Sequence, residues 1–281
     1  MRVETIVSTA GVSSPRIIYG TAWKKSDTAH LVEQALTAGF RGIDTACQPK
    51  HYHESGVGDG IAACLALGLR REELYLQTKF TAVAGQDPRH LPYDAVAPLA
   101  EQVAQSFATS LHNLQTRYLD CLVLHSPLAT DALTLEAWRA MERLVDAGGI
   151  RQLGISNCYR VEQLESLMSA TRINPAIVQN RWYAKNNYDR KIRAFCREHR
   201  ILYQSFWTLT GNPELLESKA VLAMAKRHRC SPVQVLFRYL TQSGVTPLTG
   251  TRSEAHMQED LSCFNFQLAP EEMAQMHDLT G

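Results

Sequence analysis

The sequence has no apolar run approaching the roughly 20 residues that a membrane-spanning helix needs. It also has no basic segment followed by a short apolar stretch of the kind that directs secretion. A cytoplasmic protein is the expectation. Charge of one sign is not in excess: 29 Lys+Arg against 28 Asp+Glu leave a net charge of +1 in 281 residues. Neither nucleic acid nor a membrane surface is therefore expected as a partner. The seven cysteines, at 47, 64, 121, 158, 196, 230 and 263, include no CxxC pair. An odd, scattered set in a long chain fits reduced, buried thiols better than a disulfide framework. His51 and His53 are neighbours, but no second pair follows at ligand spacing, so no metal is expected. GxGxxG and GxxxxGK[ST] are both absent, and the glycines at 56, 58 and 60 match neither spacing. A doubly wound sheet usually announces itself with such a phosphate loop. No low-complexity stretch or Pro/Gly/Ser-rich linker divides the chain, which reads as a single domain over residues 1–281.

What is present is alternation. Apolar runs that read as strands occupy Arg16–Thr21, Gly42–Ala46, Leu74–Phe80, Tyr118–His125, Gln152–Asn157, Ala176–Arg181, Ile201–Phe206 and Val245–Leu248. Between them lie segments with apolar residues at helical spacing: Thr28–Ala38, Tyr93–Thr116, Leu133–Ala147, Val161–Ala170, Tyr188–Arg197 and Pro232–Gln242. Gly39, Gly148 and Gly149 stand where helices should stop, and Ser231-Pro232 reads as an N-cap with a first-turn proline. Strand–helix alternation implies parallel strands with helical crossovers, and eight such units in about 250 residues make a (β/α)₈ TIM barrel. Pro213–Arg229 adds an extra helix before the last helix–strand pair. Pro270–Asp278 adds another at the C-terminal end.

In such a barrel the functional site forms at the carboxyl ends of the strands. The polar residues there are Asp44-Thr45, Gln77-Thr78-Lys79, His125-Ser126, Ser156-Asn157 and Gln179-Asn180-Arg181. Each has an ordinary reading alone: a turn aspartate, a snorkelling lysine, a structural histidine, a Ser-Asn cap. Together they would converge on one mouth, where unpaired polar groups are expensive to bury. A buried lysine and aspartate would pair. A tyrosine beside the lysine would have its pKa lowered and could serve as a proton donor near neutral pH. Tyr52, in the loop after Asp44, is the tyrosine within reach.

Four segments carry a family resemblance. They are Tyr19-Gly20-Thr21-Ala22-Trp23; Gly39 to Ala46 with Tyr52-His53-Glu54 and Val57-Gly58; Ser110-Leu111 through Tyr118-Leu119-Asp120 to His125-Ser126-Pro127; and Gly148-Gly149-Ile150-Arg151 leading into Gly154-Ile155-Ser156-Asn157. In this order they resemble the aldo-keto reductases over essentially the whole chain. The resemblance implies reduction of an aldehyde or ketone by hydride from NADPH, with NADH or dual use as the variant. It implies Tyr52 as the acid, Lys79 paired with Asp44 beside it, and His125 orienting the carbonyl. Ser156, Asn157 and Gln179 would hold the nicotinamide carboxamide, and Phe206 would replace the usual stacking tyrosine. Leu209, Thr251, Arg252 and Glu259 would contact the rest of the cofactor. Trp23 and Trp207 would line the pocket of a small carbonyl substrate.

The chain also departs from the family pattern. Tyr52 lies eight positions after Asp44, where the family spacing is five, and Pro49 stands at the usual tyrosine position. The loop is expected to bring Tyr52 back to Lys79, with His51 and His53 as alternative acids. At the adenosine end, Gly250-Thr251 and His256 replace the family's usual Lys-Ser and Arg, leaving Arg252 to meet a 2′-phosphate. A chain ending at Gly281 leads to the expectation of an open pocket. The displaced tyrosine supports one alternative, a cofactor-binding regulatory barrel with little or no turnover.

Overall fold

The computed structural model describes residues 4–280. The outer residues of the expected 1–281 domain, 1–3 and 281, lie outside it. A short antiparallel hairpin comes first, β1 (Thr5–Val7) and β2 (Ser13–Pro15). The eight barrel strands follow: β3 (Ile18–Gly20), β4 (Gly42–Asp44), β5 (Tyr75–Phe80), β6 (Cys121–Leu124), β7 (Leu153–Ser156), β8 (Ile177–Arg181), β9 (Leu202–Phe206) and β10 (Val245–Thr249). They run parallel in sequence order, and β10 closes on β3. The expected (β/α)₈ barrel is thus present. Seven strands are shorter than the apolar runs suggested, because the flanking residues turn into loops, while β10 runs one residue further, to Thr249.

Helices cover the outside: α1 (Thr28–Ala38), α2 (Glu54–Ala66), α3 (Leu99–Asn113), α4 (Asp131–Asp146), α5 (Val161–Ala170) and α6 (Arg190–Glu198). The expected helix from Tyr93 begins at Leu99 instead, after Pro98, whose preceding residues are biased away from helix. The expected extra helix between β9 and its partner is two pieces, α7 (Pro213–Leu216) and α8 (Lys219–His228), before α9 (Pro232–Gln242). Ser231 caps α9 as read from sequence, in a reciprocal capping box with Gln234. Gly39 ends α1 at a φ of 122°, and Gly148 follows α4 at 78°, both positive values that suit glycine. Helix α10 (Glu254–Leu261) follows β10, and α11 (Pro270–Thr280) packs outside the eightfold repeat.

The signature residues have structural duties that position the mouth. Asp120 receives the Leu76 amide at 2.9 Å and pairs with Arg71 and Arg151, at 2.9 and 3.0 Å, tying the starts of β5 and β6 together. Those two guanidiniums lie over the Tyr118 ring at 4.0 and 4.4 Å from its centre, contacts favourable to both cations. Glu54, buried at the start of α2, accepts hydrogen bonds from Thr78, Ser110 and Asn113. Burial pushes its carboxyl pKa upward, and those donors oppose the rise. Gly58, one turn on, lets α2 approach the end of α3: a Cβ there would collide with the Asn113 carbonyl oxygen. Backbone cannot yield to that contact without moving a helix, so Gly58→Ala is expected to destabilise the protein by about 3 kcal/mol. Urea denaturation checks this, with an unchanged midpoint as the contrary result.

Candidate active site

The barrel register sets the site. Asp44 pairs with Gln77 across β4–β5, and Gln179 pairs with Gln204 across β8–β9. Their side chains meet inside the barrel just below the mouth. Gln77 and Gln179 each donate to Asp44 Oδ1, at 2.6 and 2.9 Å, and Gln204 Oε1 accepts from both at 2.8 and 2.9 Å. Lys79 Nζ donates to both Asp44 oxygens at 2.7 Å and to the Thr45 carbonyl at 2.8 Å. A buried ion pair is tolerable only when such additional bonds satisfy its remaining valences. Burial disfavours the Lys79 ammonium, but Asp44 and Tyr52 outweigh it, and its pKa lies above the ordinary value.

The loop after β4 folds so that Tyr52 arrives beside this pair. The Gln48 carbonyl accepts from the amides of His51 and Tyr52, at 3.1 and 3.0 Å, and the Gln48 side chain anchors on the Gly85 carbonyl at 2.6 Å. The extra residues close into a turn, with Pro49 and Lys50 exposed at its tip. Lys79 Nζ stands 5.3 Å from the centre of the Tyr52 ring, and the ring meets that of His125 edge-on at 6.1 Å. The expectation of a lowered tyrosine pKa is corrected in its net direction. Lys79 does pull the phenol down, but burial is the larger effect and the pKa is raised. Of the alternative acids, His51 lines the same cavity against Trp23, ring centres 4.1 Å apart, while His53 is exposed and bonds Ser55.

His125 Nδ1 lies 2.6 Å from the Thr81 hydroxyl. The Thr81 carbonyl in turn accepts from Tyr93 at 2.7 Å and from Gln86 at 3.2 Å. Burial, then the charge of Lys79, push the imidazole pKa down to about 3, so the ring is neutral at physiological pH. Sequence reasoning missed Thr81, Gln204 and Tyr93. Thr81 lies one residue beyond the apolar run that ends at Phe80, and Gln204 sits inside the Ile201–Phe206 run.

These groups open into a cavity of about 700 Å³. Tyr52, His125, Ser156, Asn157, Gln179, Phe206, Leu209, Thr251, Glu259, Trp23 and Trp207 all line it. Asn157 donates to the His125 carbonyl at 2.9 Å, and Ser156 to the Gln179 carbonyl at 2.7 Å. The Gln179 amide nitrogen is spent on Asp44 and Gln204, leaving its oxygen as the acceptor for an incoming group. Trp23, Asn157 and Trp207 all hold positive φ, at 62°, 53° and 60°. Such strain in bulky residues gathers at functional sites.

Arg252 is placed differently from the expectation. It does not line the cavity; its guanidinium pairs with Asp27 and reaches the Trp23 carbonyl. Lys24, also near, is bound to the Gly250 and Thr251 carbonyls.

A protein-family model described as the aldo/keto reductase family matches residues 16–280. The chain belongs to the aldo/keto reductase family. It is 30% identical over 248 residues to the glyoxal reductase of Bacillus subtilis, covering 88% of this chain and 82% of that one. An aldo/keto reductase from Brucella melitensis superposes with a TM-score of 0.84 at 28% identity, covering 99% of both chains. An aldo-keto reductase of the silkworm Bombyx mori, solved in complex with NADP, superposes with a TM-score of 0.84 at 26% identity, covering 99% of this chain and 93% of that one.

At the far end of this reductase-family cavity, Asp260 lies buried next to Glu259 on α10 and accepts from Thr249 at 2.6 Å. Burial is the main cause that pushes its pKa from 3.8 up to about 7, and Glu259 adds to it. A raised folded-state value means that the fold holds this proton more tightly than the unfolded chain does. The resulting stability is complete below pH 3.8 and is lost as pH rises through 7. Asp260→Asn keeps an acceptor for Thr249 and removes the titration. It is expected to gain about 2 kcal/mol over the wild type at pH 9, with the gap closing toward pH 4. Urea midpoints at pH 5, 7 and 9 check this; a gap independent of pH would contradict it.

Proposed function

We propose that this protein reduces a small aldehyde or ketone to the alcohol, taking hydride from a nicotinamide dinucleotide. The observation that carries the reading is the juxtaposition of Tyr52, the buried Lys79–Asp44 pair and the neutral His125 at one end of the cavity. The cavity fits the cofactor on its own chemistry: a free amide oxygen on Gln179, an aromatic face on Phe206, and polar groups on Thr251, His256 and Glu259 at the far end. Ser156, Asn157 and Gln179 would hold the carboxamide, with Phe206 against the nicotinamide ring and Leu209 beyond it. Thr251 and Glu259 would hold the adenosine end. NADPH is the expected dinucleotide, and Arg252 would have to leave Asp27 to meet a 2′-phosphate. The dinucleotide supplies the hydride; the protein orients the carbonyl and moves the proton.

Tyr52 is the general acid. Its raised pKa keeps it protonated in the resting site, and the Lys79 ammonium is positioned to stabilise the phenolate as the proton passes to the carbonyl oxygen. Asp44 holds Lys79 charged and is itself held by Gln77 and Gln179. His125 is neutral and so acts as a hydrogen-bond donor to the carbonyl oxygen through Nε2. That tautomer requires Thr81 to donate to Nδ1, which makes Thr81 a positioning residue. Trp23 and Trp207 wall the mouth around the substrate.

Two experiments test this reading. Oxidation of NADPH and of NADH with an activated aromatic aldehyde is expected for the wild type. Tyr52→Phe is expected to lose at least 10³-fold in kcat, on the order of what a general acid supplies, while its cofactor affinity stays within twofold. Retained turnover would move the acid to His51. No turnover by the wild type, despite saturable cofactor binding, would favour a regulatory barrel. In the second experiment, Thr81→Val is expected to lower kcat about tenfold and Thr81→Ser to restore most of it. The ¹⁵N shifts of His125 should report loss of the Nε2-protonated form only in the valine variant; unchanged shifts would remove Thr81 from the mechanism.

A further inference from the structure

Arg181, the last residue of β8, is a cation with no acidic partner among the described residues. It lines the cavity two residues past Gln179 on the same strand, so the two side chains share a face. Its Nε is buried and has no hydrogen-bond partner. No acidic side chain pairs with its guanidinium among the described residues. Among the described residues, the other arginines that are not exposed are all committed. Arg16 bonds Glu4 and the Thr241 carbonyl, and Arg41 bonds the Leu36 and Phe40 carbonyls. Arg71 bonds Asp120, Arg193 the Tyr188 carbonyl and Arg238 Glu4.

What Arg181 has instead of a carboxylate is a set of aromatic faces. Its guanidinium lies 4.3 Å from the Trp207 ring centre and 5.8 Å from those of Tyr183 and Phe206. Tyr183 braces Trp207 edge-on at 5.7 Å. Trp207 is held at a positive φ and is 45% exposed. Stacking on aromatic rings fixes the plane of a guanidinium while leaving its in-plane N–H groups free, which suits two-point recognition of an oxyanion. A half-buried donor left unbonded is costly, and a ligand would recover that cost. Of the acidic residues that line the cavity, Asp44 is paired with Lys79, and Glu259 and Asp260 lie on α10.

We propose that Arg181, clamped by Trp207, is an oxyanion-binding residue of the cavity mouth that takes a pair of carboxylate or phosphate oxygens. The inference rests on the reductase reading of this cavity. Under that reading the oxygens belong either to an acid group carried by the carbonyl substrate or to the diphosphate of the dinucleotide.

The test compares the wild type with Arg181→Gln and Arg181→Lys, using benzaldehyde and 4-carboxybenzaldehyde as substrates and tryptophan quenching for NADH, NADPH and terephthalate affinity. If the site takes a substrate carboxylate, the ratio of kcat/KM for 4-carboxybenzaldehyde to that for benzaldehyde falls about 30-fold in the glutamine variant, the worth of a charge-assisted pair. Terephthalate binding weakens in parallel, and the lysine variant lies between. If it takes the diphosphate, NADH and NADPH affinities fall by the same factor and the aldehyde ratio holds. Unchanged ratio and unchanged affinities in both variants would overturn the proposal. Should the wild type fail to turn over any aldehyde, the reductase reading falls, while the affinities for terephthalate and the dinucleotides still decide the role of Arg181.

Discussion

The barrel mouth is organised around one buried charge pair, Lys79 with Asp44. An ion pair removed from water loses several kcal/mol of solvation per charge and recovers it only when nearly every donor and acceptor is satisfied. Here Asp44 receives Lys79 on both oxygens, with Gln77 and Gln179, and Lys79 also donates to the Thr45 carbonyl. These bonds fix strands β4, β5 and β8 relative to one another, and Gln204 extends the layer to β9. The same constraint sets the electrostatics above the pair. Burial and then the ammonium keep His125 neutral, and the ammonium pulls on the Tyr52 phenol against a burial effect that keeps that phenol protonated.

Around this layer the sequence signatures divide into residues that reach the cavity and residues that hold helices in place. Glu54 and Gly58 belong to the second kind. One hooks α3 through Ser110 and Asn113; the other removes the side chain that would keep α2 away from it. Asp120 does comparable work beneath β5 and β6. Tyr52 sits between the two kinds, since α2 starts two residues after it.

The fold was legible because strand and helix periods alternate cleanly and because a phosphate loop is missing. The position of α9 was readable to the residue from Ser231-Pro232, where the cap is purely local. Helices α2 and α10 were not read. The first begins with glycines and a buried carboxylate and so lacks an amphipathic pattern; the second is short and mostly polar. The pairing of Lys79 with Asp44 followed from adjacent strand ends, but the Thr81–His125 contact depends on how two loops leave their strands, which no spacing in the chain encodes. The pairing of Arg252 with Asp27 joins residues 225 apart in the chain, which no local pattern announces. The direction of the Tyr52 pKa was misread for a related reason: the cation beside it was visible in sequence, and the depth of its burial was not.

The turn at Gln48 separates where Tyr52 stands from how many residues precede it. Its two backbone bonds and the side-chain anchor on Gly85 close the loop on itself, and Pro49 and Lys50 project from it into solvent. The turn thus makes the place of Tyr52 a location in space rather than an index along the chain. Insertions at this tip are therefore close to silent, and the loop is a point where length can drift while the chemistry beneath it stays in place.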